Sequence, residues 1–185
     1  LGLGPGCELT LAIPAASPDD FGRRHNVSAV VRRMLALWRA TGGEARAALV
    51  DPWRWEGGSR GQVMPAPELA AWRALVDRLS DRRIVGEYPL GPGLRCLILA
   101  PLETTSDHRP GALALWAEPG ATSDKPLALY LGDGEPSMVD VFGNATPLER
   151  PPGAAAPAYE IQVGQMPVFI EDVDTDLLRF LASLR

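Results

Sequence analysis

The sequence predicts an α/β N-terminal segment followed by an antiparallel β-sandwich domain. Two observations carry this. Early in the chain, two compact apolar runs, "LTLAI" at 9–13 and "ARAALV" at 45–50, flank a stripe of apolar residues at helical spacing. Continuous rather than alternating apolar strands separated by a helix mark a parallel βαβ unit. From residue 84 onward the period changes to short strand-like segments separated by Gly- and Pro-rich turns, the mark of a sandwich or barrel.

The first run is closed by Pro14 and the loop "AASPDDFGRRH", and it reads as a strand buried on both faces. Val27, Val30, Val31, Met34, Leu35 and Trp38 then recur at three- and four-residue steps, and "TGG" at 41–43 ends the helix. A lone βαβ unit cannot bury both faces of its own sheet. The chain also begins at Leu1 without a methionine, so a fragment or a processed product is expected, with an unpaired sheet edge and a wide apolar face in residues 1–60.

After a loop, "EGGSRGQVMPAP", Pro67 and Glu68 open a second helix with Leu69, Trp72, Leu75, Val76 and Leu79 on one face. The segments "IVGEYPL", "LRCLILAPL", "ALALWAE", "LALYLG", "MVDVFG", "YEIQV" and "PVFIED" follow as strands, with "GPG", "DHRPG", "GDGEP" and "GNATP" among the turns between them. A terminal helix, "TDLLRFLASLR", brings Leu177, Leu178, Phe180 and Leu181 in need of a surface. The expected domains are 1–66, an incomplete βαβ-type segment; 67–83, a linking helix; and 84–185, the sandwich with its C-terminal helix.

Composition excludes several functions. Of the 185 residues 46% are apolar, enough for a real core. A net charge of −5 with scattered arginines argues against nucleic acid, whose phosphates need clustered cations. No apolar run approaches the ~20 residues that span a bilayer, so no membrane partner is expected. Cys7 and Cys96 lack metal-ligand or disulfide spacing and read as buried small hydrophobes. His25 and His108 read as solvated loop residues. The triplets Asn26-Val27-Ser28 and Asn144-Ala145-Thr146 fit a glycosylation pattern too short to carry meaning alone. "EDVDTD" at 171–176 invites a calcium reading, but it lacks the glycine and distal glutamate of an EF-hand loop, and Asp174 or Thr175 can cap the terminal helix. No cofactor and no metal are expected.

The order of a βαβ portion, a linking helix and a sandwich carrying "VDVFGNATPL" and then "IQVGQMPVFIEDVD" resembles the C-terminal portion of glycoside-hydrolase-like proteins, in which a TIM barrel precedes a small β-sandwich. It covers residues 45–175, and 1–44 by the order of elements. The resemblance implies that the α/β segment is the end of a (β/α) barrel, that the remainder of the barrel is its partner, and that "ARAALV" is its last strand. Asp51, Trp53, Arg54, Trp55 and Glu56 then sit at the C-terminal end of that strand, where barrel enzymes build their sites. Indole faces stack on pyranose rings while Asp, Arg and Glu reach hydroxyls, so carbohydrate is the implied ligand. The competing reading makes Trp53 and Trp55 filler at a seam between domains.

Retaining glycosidases need two carboxylates about 5–5.5 Å apart. The resemblance puts Thr10 where the nucleophilic glutamate belongs, with Glu8 two residues earlier on the same face of an extended strand as a weak catalytic candidate. The acid/base residue would lie in chain not present here. A non-catalytic region is therefore expected, with a carbohydrate-facing loop and a structural sandwich. The alternative is a sandwich binding or adhesion module for a protein or glycan, with contacts near "GNATP" or "TTSDHRP" instead.

Overall fold

In the computed structural model, strand β1 (Thr10–Pro14), helix α1 (Arg23–Thr41) and strand β2 (Arg46–Val50) follow one another, and β1 and β2 pair in parallel from Thr10↔Arg46 to Pro14↔Val50. The structure describes residues 10–14, 22–42, 46–56, 61–102, 110–121, 126–151 and 158–183. It divides into two units, 1–73 and 74–185.

In the first unit, the stripe of α1 is buried as its spacing requires: Val27, Val30, Val31, Met34 and Leu35 are all within the core. Gly42 ends the helix in the left-handed conformation, φ 63°, and its N–H bonds the carbonyl of Trp38. The start differs from expectation. Arg23, Arg24 and His25 belong to the first turn rather than to a loop. No acidic residue or side-chain cap marks that turn, and cations at a helix N-terminus oppose its dipole, so nothing local announces it.

The pair β1–β2 is not buried on both faces. Ile13 is buried, but Ala12, Pro14, Arg46, Ala48 and Val50 are exposed. Among the described residues neither strand pairs with a third, so both edges of the pair lack a neighbouring strand as well.

The tryptophan-bearing stretch, expected as a loop, is a strand. β3 (Trp53–Glu56) pairs antiparallel with β4 (Gln62–Pro65), with Trp53 opposite Pro65 and Arg54 opposite Met64. Alternation of aromatic and charged residues suits a half-exposed ribbon. Asp51, at φ 51°, turns the chain from β2 into it. The Ala66 N–H closes the hairpin on the Pro52 carbonyl at 2.7 Å, and α2 (Pro67–Leu79) begins at once, with proline at its first position. The buried face of α2 is Glu68, Ala71, Leu75 and Leu79; Leu69 and Trp72 are half-buried, and Val76 is exposed. The apolar stripe expected there is thus rotated by about one residue, because Ala71 and Glu68 take inward positions.

The second unit contains β5 (Arg82–Glu87), β6 (Leu94–Pro101), β7 (Gly111–Ala117), β8 (Leu127–Tyr130), β9 (Ser137–Val139), β10 (Ala145–Pro147), β11 (Ala158–Ile161), β12 (Val168–Val173) and α3 (Thr175–Ser183). Six strands form one antiparallel sheet in the order β10-β9-β12-β7-β6-β5, and β8 pairs with β11. Cys96, Ile98, Leu115 and Ile170 of the large sheet share one core with Leu129 of β8, Ile161 of β11 and Leu178 of α3. All seven residues of the central strand β7 are buried, so both faces of the sheet are covered there. On the side away from that core, the Arg78 guanidinium at the end of α2 lies 5.5 Å from the centre of the Phe169 ring, with its Nε 2.9 Å from Glu171.

Two further expectations are corrected. "GNATP" is not only a turn, since it contains strand β10. In α3, Leu178 is buried and Leu177 and Leu181 are half-buried, whereas Phe180 faces solvent. Among the described residues, no helix is long and apolar enough to cross a membrane.

Candidate functional site

The junction after β2 holds Asp51, Trp53, Arg54, Trp55 and Glu56 on one short segment of the first unit. Trp53 is 57% exposed, as is Val63 on the neighbouring strand, and Met64 is 44% exposed. Trp53 and Val63 therefore offer an aromatic and apolar surface on one face of the ribbon, just past the C-terminal end of β2, while Met64 shares the other face with Arg54. Asp51 is exposed. Trp55 and Glu56 complete β3 opposite Val63 and Gln62; their side chains lie outside the description, and Glu8 and His108 lie outside the described residues altogether.

Arg54 alternates with Trp53 and has a different engagement. Its Nη2 donates to both carboxylate oxygens of Glu68, at 2.9 and 3.1 Å, and the Glu68 side chain is completely buried. Glu68 sits in the first turn of α2, where the helix dipole also favours negative charge. Arg54 thus ties the ribbon to the helix that follows it.

A concavity opens on the second unit, at the β5–β6 turn, with a volume of about 870 Å³. Its lining includes Glu87, Tyr88, Leu94, Arg95, Glu118 and Leu181. Arg95 Nη1 donates to Glu87 at 2.7 Å and Nε to Glu118 at 3.1 Å. The hydrogen bond to Glu87, its charge and the bond to Glu118 raise the guanidinium pKa further above its ordinary value. Register explains the trio. Glu87 stands opposite Leu97 and Arg95 opposite Trp116, so each carboxylate is the diagonal neighbour of Arg95 across a strand boundary, within reach of a long side chain. No local motif spells this cluster, because its members come from β5, β6 and the residue that follows β7.

The remaining polar motifs serve the backbone. Asp140 accepts from the N–H groups of Phe142 and Asn144 and from the Asn144 side chain, at 2.8–2.9 Å. Partial burial would raise its pKa, but these bonds, with one from the Gly143 backbone, outweigh it and hold the carboxyl below the ordinary range. "EDVDTD" resolves as a helix cap, with Asp174 Oδ1 accepting from the N–H groups of Asp176 and Leu177. No group of three or more metal-ligating side chains gathers among the described residues. Asn26 is buried inside α1, so the first glycosylation-like triplet is packing. Burial pushes the Cys96 thiol up to about 12, leaving it an unreactive core residue.

No family model and no curated protein matches the sequence. Among solved structures, a family 39 glycoside hydrolase from the gut symbiont Bacteroides cellulosilyticus WH2 is similar with a TM-score of 0.63 at 11% identity, over 89% of this chain. The likeness is one of fold. This chain spans 34% of that protein's chain, about a third of its length.

Proposed function

We propose that this chain is a non-catalytic region of a glycoside-hydrolase-like protein: the end of a (β/α) barrel that contributes a carbohydrate-facing surface, followed by a structural β-sandwich. The observation that carries this reading is the exposed Trp53 just beyond the C-terminal end of a strand in a parallel pair, where barrel enzymes bind substrate. The fold likeness to a glycoside hydrolase supports it. So does the open face of β1–β2, which the remaining strands and helices of a barrel would cover. In this reading Trp53, with Trp55, stacks on sugar rings, and Asp51 and Glu56 bond hydroxyls. Arg54 holds the ribbon in place through Glu68 and does not contact the sugar.

Hydrogen–deuterium exchange of the full chain, with and without a panel of neutral oligosaccharides, tests this. Protection at residues 51–56 is the expected result. Saturating sugar that leaves this segment unprotected contradicts the proposal.

A further inference from the structure

Outside glycine, the described backbone enters the left-handed region at two residues, Asp51 with φ 51° and Asp172 with φ 62°. Asp172 lies between Ile170 and Val173, where the pairing of β12 with β7 shifts register, and that bulge accounts for it. Asp51 has no such bulge. It directly follows β2 and is followed by Pro52, and a proline biases the residue before it toward extended conformations. The left-handed region is already unfavourable for an L-residue, so Asp51 holds a conformation that glycine would take at lower cost.

Aspartate is tolerated in this region chiefly when its short side chain hydrogen-bonds locally. Among the described residues the Asp51 carboxylate has no hydrogen bond and no ion pair, and the residue is exposed. The turn is held without it, by the bond from the Ala66 N–H to the Pro52 carbonyl at 2.7 Å and by Arg54 on Glu68. A disfavoured conformation that the surroundings impose, at a residue whose side chain does nothing for the turn, points to function.

Asp51 is two residues from Trp53, so their Cα atoms are at most about 7 Å apart, and a ligand lying on Trp53 is within reach of a group at Asp51. The charge there is not offset by the described part of the ribbon. Its cation, Arg54, is on the opposite face of β3 from Trp53 and is neutralised by Glu68. A free carboxylate accepts hydrogen bonds from sugar hydroxyls and repels a second carboxylate.

We infer that Asp51 is the specificity-determining residue of the Trp53 ribbon, kept in an unfavourable backbone conformation for the sake of its carboxylate, and that it selects neutral sugars over uronates. The inference rests on the carbohydrate reading of residues 51–56.

Calorimetric titration of the full chain with cellotetraose and mannotetraose, each beside its C6-oxidised uronate, tests it together with thermal unfolding. At least one neutral tetrasaccharide is expected to bind about tenfold or more tighter than its uronate. Asp51→Asn, which suits the left-handed region and lacks the charge, should bring that ratio down to about threefold or less. Asp51→Gly should weaken the neutral sugar by about tenfold, the loss of a charge-assisted hydrogen bond, and yet raise the Tm by about 1–3 °C as the strain is relieved. A Tm lowered by Asp51→Gly would make the carboxylate a structural part of the turn and overturn the inference, as would a uronate that binds the parent as well as its neutral counterpart. If no neutral tetrasaccharide binds, or if Trp53→Ala leaves the binding intact, the reading of residues 51–56 fails and takes the inference with it. Binding that Trp53→Ala abolishes and Asp51→Gly leaves unchanged overturns the inference alone.

Discussion

Arg54 and Glu68 form an ion pair in which one partner is wholly buried: a single guanidinium nitrogen lies 2.9 and 3.1 Å from the two oxygens of a carboxylate with no exposed surface. A buried carboxylate is stable only with its charge compensated, and the first turn of α2 supplies part of that compensation. Arg54→Met is therefore expected to destabilise the protein by about 2–4 kcal/mol, and the double variant with Glu68→Met to lose less than the single one. Urea unfolding of the three proteins measures this. A cost below about 0.5 kcal/mol for Arg54→Met, the size of an ordinary surface change, would show that the pair does not hold the hairpin.

Leu178 of α3 fills the space that a side chain on Gly111 of β7 would need. Leu178→Ala should cost about 2–4 kcal/mol through the cavity it leaves. Gly111→Ala alone should cost about 1–3 kcal/mol by overpacking. Together the two should cost less than their sum by at least about 1 kcal/mol, since one relieves the other. Strict additivity in thermal unfolding would place the helix elsewhere.

The Asp140 turn predicts a pH dependence. Its carboxyl has a folded pKa below the ordinary 3.8, so its contribution is fully present above that value and fades as the pH falls through the lowered one. Asp140→Asn should cost about 1–2 kcal/mol near neutrality, where the charged acceptor serves three donors. The gap from the parent should close in acid. A gap that persists well below pH 3.8 would mean that the loss is steric.

The sequence announced elements with long, regular patterns and was silent where pairing is made between distant residues. The stripe of α1 and the apolar β7 were legible because periodicity alone specifies them. Strands β4 and β10 carry the sequence marks of loops: each is three or four residues long, contains proline, and pairs with one neighbouring strand. The start of α1 was hidden by basic residues in its first turn. At the candidate site, Asp51–Glu56 could be picked out as an aromatic and charged cluster, but the engagement of Arg54 could not, since Glu68 lies 14 residues away. The Glu87–Arg95–Glu118 row, assembled by the register of β5, β6 and the residue just past β7, left no local signature.

The most direct test is a tryptophan-fluorescence titration of the full chain with neutral oligosaccharides, run beside Trp53→Ala, Trp55→Ala and Arg95→Met. Trp53 is exposed, so its replacement should change folding stability by less than about 0.5 kcal/mol. If the chain is the carbohydrate-facing end of a barrel, at least one sugar gives a saturable change that Trp53→Ala and Trp55→Ala abolish and Arg95→Met preserves. A folded parent that responds to no sugar, or an Arg95→Met protein whose response survives both tryptophan substitutions, contradicts that account.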